Sequence, residues 1–307
     1  MKRLFWLLII VLSLNNLYGF GENNKGKTAF QSLKIGVGAR PVAMGEAFTA
    51  VSDDINAIYW NPAGVVNVDC NELSVMYINW FQKISYSSLA FVHNFMHNIA
   101  VGVFFSQLSY GRIPKTEVTA DGSLIDNNES YTAYDLIGGL SSGIKVSENL
   151  LLGVNIKLLT EKIENEKAQG IAFDIGWLWN IIKNRLRYGV SLNNIGTNIR
   201  FISEKDNLPL SFKVGLAYIK QKRFTISFDM SIPSDNTMSE HIGIEYYLFK
   251  NFCFRVGYKS NTIRDLGGLS GLSAGVGIKW KHLSIDYVWV PYGELGQTQR
   301  CALKCSF

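Results

Sequence analysis

The chain has 307 residues, of which 47% are hydrophobic and 18% charged, and its formal net charge is +5. That composition excludes intrinsic disorder, and so mild a charge without a long Lys/Arg run excludes a nucleic-acid binder. The length suits one large or two ordinary domains.

At the N-terminus, Lys2 and Arg3 precede an apolar stretch from Leu4 to Leu14, and Gly19 to Gly21 supply small residues for cleavage. This pattern predicts a secretory signal over 1–21, whose removal takes Lys2 and Arg3 and lowers the charge from +5 to about +3. The unbroken apolar run from Leu4 to Leu12 falls far short of the roughly 20 residues a spanning helix needs. A membrane protein without spanning helices must close a barrel, because lipid offers no partner to unpaired backbone groups.

Residues 22–69 do not alternate. Their centre is rich in Gly, Ala and Ser, which suits backbone packed closely against a wall. Ser52 or Asp53 is placed to N-cap a short helix over Ile55 to Trp60, and Asn61-Pro62 ends it. Fourteen strands enclose more space than wall side chains fill, so this segment is expected to occupy the lumen as a plug.

From residue 70 to residue 307 the pattern is about ten alternating residues, then a turn. It predicts an all-β, transmembrane antiparallel barrel with strands at 70–79, 84–94, 98–108, 131–145, 149–162, 167–179, 185–194, 208–220, 222–233, 239–249, 251–260, 271–280, 282–291 and 297–307. One face is uncharged, as in Leu216-Tyr218, Ile242-Ile244-Tyr246 and Phe254-Val256-Tyr258. The other carries Lys213, Asp229, Glu245, Arg255, Lys259, Lys279, Asp286, Arg300 and Lys304, interspersed with glycines. A Lys or Arg facing lipid at mid-bilayer costs about 2–4 kcal/mol, so lipid contact enforces this segregation. Connections near 95–97, 146–148, 180–184, 221, 250 and 281 are tight, whereas 109–130, 195–207, 234–238, 261–270 and 292–296 read as longer loops. Outer-membrane barrels have that asymmetry. Trp177, Trp179, Tyr218, Phe249 and Trp280 crowd the tight-turn ends, as an aromatic belt at the headgroup level would.

The run GARPVAMGEAFTAVSDDINAIYWNPAG, Gly38 to Gly64, resembles the N-terminal signature of the PorV/PorQ family, within the wider FadL-like (OmpP1/FadL/TodX) group of outer-membrane barrels. The positions that carry it are Arg40, Pro41, Gly45, Asp53, Asp54, Asn61, Pro62 and Gly64. The resemblance implies a fourteen-stranded barrel in the bacterial outer membrane, with Asn61-Pro62-Ala63-Gly64 closing the luminal segment. The last strand, ending at Phe307, resembles the signal read by the barrel-assembly machinery. For function the resemblance implies an accessory in protein export to the surface, as in type IX secretion, with secreted cargo proteins or translocon components as partners. The alternative it implies is passive transport of hydrophobic small molecules such as fatty acids.

Reactive chemistry is not expected. Gly36-Val37-Gly38 lacks the continuation of a phosphate loop because position 41 is Pro. Asp53-Asp54 reads as a capping pair rather than a metal site, since no further carboxylate follows at ligand spacing. His282, Ser284 and Asp286 share one strand face, but steps of about 6.6 Å are too long for a proton relay. His93, His97 and His241 make no metal pattern, and Cys70, Cys253, Cys301 and Cys305 have no metal or disulfide spacing. The expectation is a non-enzymatic barrel without catalytic residues, cofactor or metal.

Overall fold

In the computed structural model the alternation closes into a barrel. The structure describes residues 21, 24–96, 98–118, 121–122, 124–201, 204–221, 223–260 and 269–307; the expected signal lies almost wholly outside the described residues. The strands are β1 (Glu72–Asn79), β2 (Ser85–Met96), β3 (Ile99–Val118), β4 (Leu124–Ser147), β5 (Leu150–Ile163), β6 (Glu166–Ile182), β7 (Leu186–Gly196), β8 (Ile199–Phe201), β9 (Glu204–Asp206), β10 (Ser211–Lys220), β11 (Phe224–Pro233), β12 (Ser239–Phe249), β13 (Phe252–Lys259), β14 (Leu272–Trp280), β15 (Leu283–Pro291) and β16 (Gln297–Ser306). All but β8 and β9 form one closed antiparallel barrel of fourteen strands, in which β1 meets β16 from Glu72↔Ser306 to Asn79↔Gln299.

The strand count agrees with the sequence pattern, and the differences are at the loop end. The segment 109–130, expected as a loop, continues β3 and β4 upward as a two-stranded arm from Arg112↔Thr132 to Val118↔Leu124. Neither outer neighbour follows it, since β2 pairs with β3 only as far as Ser109 and β5 pairs with β4 only as far as Ala133. Thr, Ile and Tyr in this arm favour strand, and the bulges at Ser109/Arg112 and Pro114/Thr116 absorb Gly111 and Pro114. The expected loop 195–207 contains the small β8–β9 hairpin. The β5–β6 connection is also tight, with Glu164 at φ 53°, although it lies at the loop end.

Side-chain parity sorts the wall. On β5, Leu152, Val154, Ile156 and Leu158 point outward and are 38–63% exposed, while Leu151, Gly153, Asn155, Lys157 and Leu159 point inward and are buried. The same division leaves Trp177, Trp179, Tyr218, Phe249 and Trp280 exposed near the tight turns. No helix among the described residues is long and apolar enough to cross a membrane, and the outward strand faces present a continuous apolar surface.

Residues 28–68 run through the lumen from the loop end to the tight-turn end. They hold two short helices, α1 (Ala39–Ala43) and α2 (Ala57–Trp60), and 3-10 turns at Gln31–Lys34 and Pro62–Asn67. Helix α2 begins two residues later than the sequence pattern predicts, and neither Ser52 nor Asp53 caps it. Ser52 instead donates back to the Phe48 carbonyl at 2.8 Å, and Asp54 accepts from the Asn56 N–H at 3.0 Å. Asn61 does end α2, and its side chain accepts from Ala63 N at 3.2 Å.

Candidate functional site: a plugged lumen with a cavity at its loop end

The plug can lie against the wall because the wall has no side chains where they meet. A Cβ built on Gly257 would stand 1.8 Å from the Gly45 nitrogen, and one on Gly153 would stand 2.2 Å from the Pro62 carbonyl carbon. Gly176 and Gly243 likewise face Asn61 and Met44, at 2.1 and 2.5 Å. These wall positions must be glycine for the backbones to approach.

Charge sets the plug's register. Arg40, on α1, is 8% exposed and grips Glu245 of β12 with two nitrogens, at 2.8 and 2.9 Å. Its remaining nitrogen donates to Asp53 at 2.7 Å and Asp54 at 2.9 Å. Glu245 also accepts from Arg255 at 2.6 Å, and Arg255 reaches Asp286 at 2.5 Å. Lys304 stands 3.4 Å from both Asp54 and Glu72, and Glu72 accepts from the Ile55 N–H at 2.9 Å. Arg300 donates to the Gly36 carbonyl at 2.5 Å. Burial pushes the Glu46 carboxyl up, but Lys259, 2.6 Å away, and behind it His241 and Lys213 outweigh that and hold it at about 2. Such a hub is directional, because an unpaired buried charge is strongly unfavourable in any other register.

Above this hub the lumen opens into a cavity of about 350 Å³, a volume typical of small-molecule sites. Its apolar flank is Trp60, Tyr59, Phe104, Tyr86 and Ile137, with Tyr59 and Phe104 edge to face at 5.3 Å. Its polar flank carries Lys213, Lys259 and His241. The Gly45 carbonyl is 2.7 Å from His241 Nδ1, so Nδ1 carries a proton and Nε2 faces Ser239. Lys213 makes no ion pair among the described residues, and its ammonium sits 4.5 Å over the Trp60 ring. At the mouth, Asp235 of the β11–β12 loop holds Thr28 at 2.5 Å and pairs with Lys34, so the plug's entry segment straps one side of the opening.

The structure brings most of the motif residues into the plug's own contacts. Arg40, Asp53 and Asp54 form the hub, and Pro41 sits in the first turn of α1, its carbonyl accepting from the Met44 and Glu46 N–H groups. Gly45 takes φ +63° where plug meets wall, and Asn61 donates to the Thr49 and Trp177 carbonyls at 2.9 and 3.1 Å. Pro62 lies on Gly153, and Gly64 sits against Ser52. Phe307 is far from the cavity; it pairs with Asn71 and stacks on Phe91 at 6.3 Å. Of the lumen-parity cations, Lys279 stays outside the hub, exposed at the tight-turn end. Trp60, Phe104, Tyr86 and Ile137 were not singled out from sequence as cavity residues. The inward parity of Phe104, Tyr86 and Ile137 is legible in the strands, but the gap beside the plug, and Trp60 in it, depend on the plug's path. Asp286 is engaged by Arg255 and His282 contacts the Ser306 carbonyl, so the strand of His, Ser and Asp forms no relay.

A family model described as "Uncharacterised protein family (UPF0164)" matches residues 11–287. The chain belongs to this family. The UPF0164 protein of Treponema pallidum (strain Nichols) is 24% identical over 186 residues, 55% of this chain and 44% of that one. The chain therefore spans less than half the length of that curated relative. Among solved structures, the TodX monoaromatic hydrocarbon channel, as a deltaS2 mutant, is similar with a TM-score of 0.59 at 13% identity, over 88% of this chain and 97% of that one. The Pseudomonas putida toluene transporter TodX gives 0.58 at 12% identity, over 88% and 96%. These likenesses show the fold: this UPF0164 chain is a fourteen-stranded barrel of the kind found in outer-membrane proteins.

Proposed function

We propose that this UPF0164 barrel is a non-enzymatic passive transporter that admits small hydrophobic or amphipathic molecules at its loop end. The observation that carries the reading is the cavity of about 350 Å³ above the plug, aromatic on one flank and on the other lined by paired charges and Lys213. An apolar molecule entering it would leave water for aromatic surface, at roughly 25 cal/mol per Å² buried. The similar TodX structures are a toluene transporter and a monoaromatic hydrocarbon channel, which supports the same chemical class here. In this reading residues 1–21 are a signal, 22–69 a luminal plug that must shift for passage, and 70–307 the barrel, delivered through the strand ending at Phe307 by the assembly machinery. The test is accumulation of an apolar solute by cells displaying the chain. Wild type should speed it, and Ser106→Trp, which fills the cavity, should abolish the gain. Equal rates in both would sink the reading.

A second reading, an accessory of PorV/PorQ type in protein export, is favoured by the Gly38–Gly64 signature and by the β3–β4 arm projecting past its neighbours. Copurification of secreted proteins sharing a C-terminal domain, lost on trimming the arm between residues 112 and 132 and without any effect on solute uptake, would decide for it.

A further inference from the structure

On the opposite side of the lumen from the Arg40 hub, two carboxylates face each other and make no ion pair among the described residues. Asp135 of β4 and Glu161 of β5 are direct cross-strand partners, and both point inward. Direct partners have Cβ atoms about 5 Å apart, and like charges there repel. Asp135 is 1% exposed, and apart from the Ser32 hydroxyl its oxygens have no hydrogen-bond partner among the described residues. Its other cross-strand partner is Leu108, and Ala133 and Ile137 flank it along β4, so the wall around it is apolar.

The plug completes the arrangement. Ser32, in the 3-10 turn at the plug's entry, is 1% exposed, and its hydroxyl lies within hydrogen-bond reach of the Asp135 carboxyl and of no other partner among the described residues. One Glu161 oxygen is 3.4 Å from the Phe30 nitrogen. Asp206 of β9, another acid, is within electrostatic reach of Glu161, and the phenol of Tyr110 on β3 is within reach of both carboxylates. Two carboxylates and a hydroxyl, all hard oxygens, face one another, Asp135 and Ser32 buried and Glu161 half-buried, with excess negative charge, which is the donor set that calcium-class ions take.

We propose that Asp135, Glu161 and Ser32 form a site for a hard divalent cation of the calcium class, which fastens the plug's entry segment to β4 and β5. Water supplies the remaining ligands. The site holds the apolar side of the plug as Arg40 holds the other, and it is independent of what the cavity transports.

The test uses the full chain in nanodiscs after chelation, with calcium and its luminescent substitute terbium as probes. Terbium should give saturable emission sensitised by Tyr86 and Tyr110. Calcium should compete with a dissociation constant on the order of 0.1–1 mM, the range of extracellular sites. Calcium should also slow proteolysis of residues 24–34. Asp135→Asn and Glu161→Gln should each weaken terbium binding by roughly tenfold or more. Glu164→Gln, at an exposed acid paired with Lys115, should leave it unchanged. Absence of saturable terbium emission, or emission that survives the Asp135→Asn/Glu161→Gln double variant, would overturn the site. So would a plug whose protection follows pH but not calcium, because the two carboxyls would then share a proton. Stability alone is not the readout, since neutralising a buried repulsion can stabilise the chain by itself.

Discussion

The two sides of the lumen hold the same plug by different physics. Along β12–β16 the contact is charge on charge, with Arg40, Glu245, Arg255, Asp286, Asp54 and Lys304 in one buried network. Along β2–β6 it is chiefly apolar, with Ile55, Ile58, Ala63 and Val65 packed on Val92, Phe104, Leu151 and Leu178, and neutral hydrogen bonds such as Asn155 to the Ile58 carbonyl at 2.7 Å between them. Charges specify a single register, whereas aliphatic packing tolerates sliding at small cost. The cavity lies on the seam between the two sides and takes one flank from each. A plug that must move is better hinged on its charged side and released from its apolar side.

The largest effect should come from breaking the charged side. Arg40→Ala leaves Glu245, Asp53 and Asp54 short of their shared cation, and it should destabilise plug docking by about 3–5 kcal/mol. Chemical denaturation in detergent would show the loss as early exposure of residues 39–64, with the barrel transition following later. If barrel and plug still unfold together, the hub does not set docking.

A somewhat smaller effect tests the lipid face rather than the lumen. Leu158→Lys, at an outward position that is 63% exposed, should cost about 2–4 kcal/mol in a bilayer and little in a soluble context. Folding into vesicles of defined lipid, compared with folding in detergent, measures it. Next comes close approach: Gly257→Val puts two further carbons where the Gly45 backbone already stands, and overpacking of this kind costs about 1–3 kcal/mol. Gly138→Val, outward with nothing within 4 Å, is the matched control and should be tolerated.

The smallest effect is pH dependence through Glu46. Its carboxyl is held near 2 in the folded chain, below its unfolded value, so the stabilisation is fully present above about pH 4.5 and fades as pH falls toward 2. After screening it should amount to about 1–2 kcal/mol, and Glu46→Gln should flatten it. Proteolytic release of residues 24–70 as a function of pH reads it directly.

The wall was legible in the sequence because lipid and lumen each write a period of two on every strand. Leu216 and Tyr218 against Lys213 and Gly215 needs no tertiary information. The plug's course was only half legible. Small residues between Gly36 and Gly64 announced a close approach, and Asn61-Pro62 announced a stop. Nothing local showed that Arg40 would meet Glu245 some two hundred positions away, or that Asp135 would face Glu161. Those meetings depend on register around a closed barrel, which sequence parity leaves undetermined. The arm at 109–130 was misjudged as a loop because Gly111, Pro114 and Gly122 punctuate it, yet bulges accommodate the first two within a continuing ladder.

Photolabelling with an apolar diazirine on cells displaying the chain, mapped by mass spectrometry, asks most directly whether an apolar guest occupies the loop-end cavity. Adducts on Tyr59, Trp60, Phe104 and Ile137 that saturate with concentration, while those on Ile156 and Leu158 rise linearly with probe dissolved in lipid, are the predicted result. Labelling confined to the outward residues, with none that saturates in the lumen, would contradict it.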